Sequence, residues 1–174
     1  MGIQFETDYN METLTAMAKG LRKTVRKKRS RRVHIFAAVV LIFGLLTILA
    51  TTAGGEPLGA SGVVTLLALL VVILVSLFED RLNAWFARKR LLPGTEHAAA
   101  TFEEEGYVSA TGVTESRFSY AQIVAVAETA RYFVFALSSH HTQAYDKRTI
   151  RGGSVEDFRA FIAEKTGKLV EKIK

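Results

Sequence analysis

The sequence predicts a membrane α-helical hairpin joined to an α+β soluble domain. Two apolar runs carry the first half of that expectation. Residues 33–53 and 58–78 each match the ~20 residues that a helix needs to cross a bilayer. A short Gly/Pro turn separates them, and its Glu56 is the only formally charged residue between Val33 and Phe78, with His34 at the edge. The second half rests on the chain beyond residue 92, where short β-type segments give way to one helical stripe. The chain then divides into an arm (1–32), the hairpin (33–78), a juxtamembrane helix end (79–91) and a domain (92–174).

In the arm, Ile3-Gln4-Phe5-Glu6-Thr7 alternates apolar and polar residues as a short strand does. The sequence leaves open whether it joins the later sheet. Asp8 or Asn10 can cap a helix that begins near residues 9–11. Met11, Leu14, Met17, Leu21 and Val25 recur at three- and four-residue spacing, which makes one apolar stripe opposite a basic face. The pattern predicts a single helix from about residue 10 to 32 that runs on into the first span.

The net charge of +6 lies beside the apolar runs. Residues 1–32 hold nine Lys/Arg against three Asp/Glu, and residues 79–91 hold four against two. Residues 92–174 are close to neutral, with ten basic and eleven acidic side chains. That distribution argues against a nucleic-acid partner and for membrane flanks. Basic residues stay on the cytoplasmic side, and the 54–57 loop has no Lys or Arg. Both termini are therefore expected in the cytoplasm. Arg22, Lys23, Arg26 and Lys27 are candidate contacts for anionic lipid, at roughly 1 kcal/mol per residue near the surface. The same charges serve equally as a bare topology signal, or for an acidic partner.

The second run opens with Gly59, Ala60, Ser61 and Gly62, small residues that let helices approach closely in lipid. Neither run holds an ion pair or a carboxylate relay, which leaves an oligomeric channel or transporter subunit with nothing polar to line a pore. The 32-residue lead and the length of the first run fit a span better than a cleaved signal peptide. Trp85, with Leu82 and Phe86, is a candidate interface anchor where the second helix leaves the bilayer. The same residues suit a helix packed on the soluble domain.

Leu92-Pro93-Gly94 marks the domain boundary. Strands are expected at 98–104, 107–110, 115–119, 123–128, 132–137 and 143–146, with short antiparallel links. Residues 132–137 are apolar throughout and should be central. Gly152-Gly153 then breaks the chain and Ser154 can cap a helix with Glu156 and Asp157 in its first turn. Val155, Phe158, Phe161, Ile162, Leu169 and Ile173 make its apolar stripe, with Lys165, Lys168, Lys172 and Lys174 toward its end. Periodicity supports an antiparallel sheet closed by one C-terminal helix.

No constellation points to catalysis, and no cofactor or metal is expected. There is no cysteine, hence no disulfide or thiolate chemistry. His140-His141 sits in a hairpin turn without the converging ligands a metal needs. Gly152-Gly153 lacks the Gly-Lys-Ser/Thr part of a phosphate loop. Lys147, Arg148 and Arg151 cluster before the last helix and could hold a phosphate, a lipid head group or an acidic peptide, unless they form a plain solvated loop. Glu103-Glu104-Glu105 could dock on the basic arm of its own or a neighbouring chain, or remain an exposed edge.

Several short motifs occur in a fixed order: Phe102-Glu103-Glu104-Glu105-Gly106, Ser119-Tyr120 with Ile123, Val126-Ala127-Glu128-Thr129-Ala130-Arg131-Tyr132-Phe133, Lys147-Arg148 and Phe158-Arg159. With the Phe5-Glu6-Thr7-x-x-Asn10 start and the hairpin, they resemble the YcxB-like family of bacterial membrane proteins. Asp146 and Tyr120 depart from it, standing where Pro and Trp are common. The resemblance implies a two-span inner-membrane hairpin carrying a cytosolic, pleckstrin-homology-like domain, and it supplies no reaction. The expectation is a non-catalytic, membrane-tethered interaction module of regulatory or immunity type. Its partners would be membrane lipids and a protein whose identity is open, and a homo-oligomer is open too. An anionic lipid or phosphorylated head-group sensor is one alternative, and an oligomeric channel or transporter subunit is the other.

Overall fold

The alternating residues at the start of the chain form a strand, and it is sewn into the later sheet. In the computed structural model, which describes residues 2–55 and 57–173, β1 (Ile3–Asp8) pairs antiparallel with β2 (His97–Phe102), Ile3 opposite Phe102 and Asp8 opposite His97. Glu56 and Lys174 of the reading above lie outside the described residues. Period-two alternation turns Ile3, Phe5 and Thr7 inward. The other edge of β1 is also bonded. Gln4 and Arg151 exchange backbone hydrogen bonds of 2.9 and 3.0 Å, and the Thr149 hydroxyl donates to the Glu6 carbonyl at 2.7 Å. An N-terminal strand held on both edges answers the question the sequence left open.

The antiparallel sheet continues through β3 (Gly106–Thr111) and β4 (Glu115–Ser119), in the order β1-β2-β3-β4. A second sheet holds β5 (Ala125–Glu128), β6 (Tyr132–Ala136) and β7 (Thr142–Asp146). Helix α5 (Val155–Thr166) follows, started by a reciprocal Ser154–Asp157 capping box. It closes the core: Phe158 lies 4.7 Å from Phe5, 4.8 Å from Phe102 and 5.0 Å from Phe133 between ring centroids. Ile162, Phe135, Tyr107 and Tyr145 complete this aromatic cluster. The buried amide of Gln143 beside it accepts hydrogen bonds from the hydroxyls of both Tyr107 and Tyr145 at 2.7 Å. The amide oxygen satisfies two phenols that would otherwise be buried unpaired.

The expected helical stripe through Leu169 and Ile173 is not continuous. Gly167 takes the left-handed conformation (φ 63°) and ends α5, leaving Leu169 88 % exposed. The chain then forms a short strand, β8 (Val170–Lys172), parallel to β5. The second sheet thus runs β7-β6-β5-β8, and the domain is two sheets with one parallel pair, where a single antiparallel sheet was expected. Strand β6 is central, as its composition predicted, because both its faces are covered. Phe133 and Phe135 face the aromatic core, and Tyr132 and Val134 meet a helix from the N-terminal arm.

That helix, α1 (Met11–Lys23), is capped by the Asn10 side chain, which accepts from the backbone of Glu12 and Thr13. Its stripe packs Ala16 and Met17 on Ala127, Val134 and Ala144. The approach is close enough that a Cβ on Gly20 would come 2.7 Å from Val134 Cγ1. Here the single helix expected from residue 10 to 32 divides. Thr24, Val25 and Arg26 form a turn, with the Thr24 hydroxyl folded back on the Gly20 carbonyl at 2.8 Å. Two adjacent β-branched residues weaken helix there. The break frees α1 to lie flat on the sheet while the next helix leaves it.

The next helix, α2 (Lys27–Ala53), takes the basic residues of the arm into its first turns. It pairs with α3 (Ala60–Leu77), and Gly44 lies against the Leu69 side chain. Both are long and apolar enough to cross a membrane. Large apolar side chains around them, Phe36, Phe43, Leu67 and Leu77 among them, lie uncovered. Helix α4 (Glu79–Lys89) then returns to the domain and buries Ala84 completely. Its register against α1 is fixed by Arg22, whose guanidinium donates to both Asp80 oxygens at 2.7 and 2.6 Å. The hairpin is therefore an insertion between β1 and β2, clamped at its base.

Candidate functional site

A groove of about 1020 Å³ lies between α1, the β5–β6 turn and β8. The stripe of α1 builds one wall with Met11, Thr15 and Ala16 facing Tyr132 and Ile173. At its base is Glu128, the charged residue in an otherwise apolar strand. Glu128 is only 5 % exposed and is held by Arg159 at 2.7 and 2.8 Å and by Lys147 at 2.9 Å. The Arg159 guanidinium, aided by the Lys147 ammonium and opposed by burial, lowers its carboxyl to about 2. Arg131, at the β5–β6 turn, bridges Glu12 of α1 and Asp146 of β7. Lys19, Arg81 and Lys172 reach the groove with no carboxylate within 4.0 Å among the described residues. The arrangement is a partly apolar trough with cations on its rim, suited to binding an anionic, partly apolar segment.

The residues singled out from the sequence divide differently. Lys147, Arg148 and Arg151 do not form one free patch. Lys147 is taken by Glu128, Arg148 binds Asp146 at 2.9 Å, and Arg151 lies 3.4 Å from Glu6. Arg22 is committed to Asp80, with Glu79 at 3.8 Å. Arg26 donates its Nε–H to the Ser139 carbonyl at 2.6 Å. Lys23 and Lys27 stay exposed. Trp85 is 44 % exposed, edge-on to Phe86, with the Lys89 ammonium 3.6 Å from its ring centroid. Glu104 pairs with Lys165 of α5, away from the basic arm. His140-His141 sits in the β6–β7 turn, where His140 bonds Ser139. Among the described residues no cluster of His, Cys, Asp and Glu could hold a metal ion.

The groove's rim has no local signature in the sequence. In the sequence Lys19 is one of the nine basic residues of the arm and Arg131 one position of a motif, and neither pattern points to a groove. The signal that could have found the groove is Glu128, because a carboxylate inside an apolar strand needs cations brought to it by other elements. A second, smaller cleft of about 550 Å³ lies between α1, α2, α4 and the β6–β7 turn.

No curated protein and no solved structure matches the chain significantly. Residues 102–162, which span β3 to β7 and most of α5, match the family model described as YcxB-like protein. Glu128, Arg131, Lys147 and Arg159, the polar residues around the base of the groove, all fall inside that match.

Proposed function

We propose that the chain is a non-catalytic, membrane-tethered interaction module. Helices α2 and α3 anchor it in the bacterial inner membrane with both termini in the cytoplasm, and the groove beside α1 receives a protein partner. The observation that carries this reading is the pairing of an uncovered apolar hairpin with a domain clamped to its base. Bare Phe, Leu and Val around two helices of spanning length need lipid around them. The basic start of α2, with Lys27, Lys28, Arg29, Arg31 and Arg32, supports a cytoplasmic domain. Two sheets of mainly sequential antiparallel strands closed by α5 support the pleckstrin-homology-like plan, with the hairpin inserted after its first strand. Such tethering raises the effective concentration of the groove toward partners at the same membrane. Lys19, Arg81 and Lys172 favour an acidic segment with apolar side chains.

Two experiments test this. The chain lacks cysteine, so single replacements report position cleanly. In intact cells Ala53→Cys should react with an impermeant thiol reagent and Thr114→Cys should react only after permeabilisation. The reverse pattern, or extraction of the protein by alkaline carbonate, overturns the topology. For the groove, a photo-crosslinking residue at Thr15 should capture one partner in cells, and Lys19→Glu with Lys172→Glu should abolish that adduct. Adducts unaffected by the double replacement overturn the groove as the binding face.

A further inference from the structure

The cleft at the base of the hairpin has a composition different from the groove. Its cations are Arg26 from the α1–α2 turn, Arg29 from the first turn of α2 and Arg90 from the end of α4, joined by Arg22. Its one carboxylate, Glu79, is already shared by Arg22 at 3.8 Å and His34 at 3.7 Å. Arg26, Arg29 and Arg90 have no carboxylate within 4.0 Å among the described residues. Three further arginines, from three parts of the chain, thus line a cleft of about 550 Å³ whose single lining carboxylate is already shared by Arg22 and His34. Like charges gathered in a cleft repel, and an anion placed between them removes that cost.

The walls say which anion. Val33 and Phe86 line the same cleft, both more than half exposed, and Val33 starts the apolar run of α2. Four residues separate Arg29 from Val33, about 6 Å along a helix. The cations therefore stand one turn above the apolar surface, as a phosphate stands above acyl chains. Guanidinium groups suit this role because they are always charged and bind phosphate oxygens in pairs. We infer that this cleft binds the phosphate diester head group of an anionic phospholipid, held by Arg26, Arg29 and Arg90, with the acyl chains lying along Val33 and Phe36. The inference rests on reading α2 and α3 as membrane spans. It moves head-group recognition away from Lys147, Arg148 and Arg151, whose charges are met by Glu128, Asp146 and Glu6.

The test uses the full chain in nanodiscs of phosphatidylcholine containing a minor share of phosphatidylglycerol, transferred to non-ionic detergent for native mass spectrometry. Phosphatidylglycerol should be retained on the protein far above its share. The triple replacement Arg26→Gln, Arg29→Gln, Arg90→Gln should lower that preference about 10-fold or more. A control with the same charge change elsewhere, Arg117→Gln, Lys165→Gln, Lys168→Gln, should keep it. Because Arg26 bonds the Ser139 carbonyl, the triple variant could misfold. Arg29→Gln alone, at an exposed position, should still lower the preference severalfold. No preference in the natural chain, or equal loss in the control, overturns the site. A chain that carbonate extracts from membranes overturns the hairpin reading instead, which separates the two failures.

Discussion

At the scale of single residues, the most consequential side chain is Glu128. It ties β5 to α5 through Arg159 and to the segment after β7 through Lys147. Its carboxyl is lowered to about 2 from an ordinary 4.5, chiefly by Arg159. A group whose folded value is depressed stabilises the fold above its unfolded value and loses that contribution as pH falls through the folded one. A shift of this size corresponds to about 3 kcal/mol, present above pH 5 and gone near pH 2. Urea titrations of the full chain in non-ionic detergent should show stability falling across that window. Glu128→Gln should lose about 3 kcal/mol at pH 7, because it leaves two partly buried cations without their carboxylate. Its stability should also depend less on pH over the same range. An unchanged slope in the variant would remove Glu128 as the source of acid sensitivity. Phe5 offers a complementary test of β1. Its ring touches Phe102, Tyr145 and Phe158. Phe5→Ala should cost about 3–5 kcal/mol, a loss that an arm lying outside the core would not suffer.

At the scale of elements, the contact of α1 with β6 depends on Gly20. A methyl there gains about 1 kcal/mol of helix propensity. It would also stand 2.7 Å from Val134 Cγ1 and 3.0 Å from Val134 Cβ, a short, stiff side chain buried on both sides. Overpacking of this kind costs about 1–3 kcal/mol, so Gly20→Ala should lower the melting temperature. Adding Val134→Ala should recover part of the loss, and a strictly additive double variant would sink the explanation. The legible elements were those whose pattern is local. The two apolar runs, the Ser154 cap and the all-apolar 132–137 strand each announce themselves within a few residues. Strand β6 even announced its central place, since only a strand covered on both faces can omit polar residues. The break at Thr24 is less legible, because the apolar stripe from Met11 to Val25 runs through it and two β-branched residues weaken a helix without by themselves ending it. The partner of β1 lies about 90 residues away across the hairpin, and no local pattern specifies pairing at that distance. The basic cluster at 147–151 read as free for the same reason. Its carboxylate partners Glu128 and Glu6 come from distant strands, and Asp146, though close in sequence, carries no local sign that it holds Arg148.

At the scale of the whole molecule, the hairpin enters and leaves the domain at one place, so the Arg22–Asp80 pair decides how firmly the two are joined. Both side chains are mostly covered, and the pair makes two charge-assisted bonds at 2.7 and 2.6 Å. Bonds of this type contribute about 1.5–3 kcal/mol. Asp80→Asn should therefore loosen α4 from α1 without melting the aromatic core, which α4 does not touch. Amide hydrogen exchange measures this directly. Protection across α4 and the end of α1 should fall about 10-fold or more, since 1.4 kcal/mol is a factor of ten. The amides of β6, between β5 and β7, should keep their rates. Arg22→Gln should act alike. The double variant should be no worse than the more damaging single one, because each replacement removes the same interaction. If β6 exchanges faster in step with α4, the clamp is part of the global fold. In that case hairpin and domain open as a single unit and the domain cannot tilt on its anchor. If only α4 responds, a hinge lies between hairpin and domain, and the strength of one ion pair sets how far the domain can swing on it.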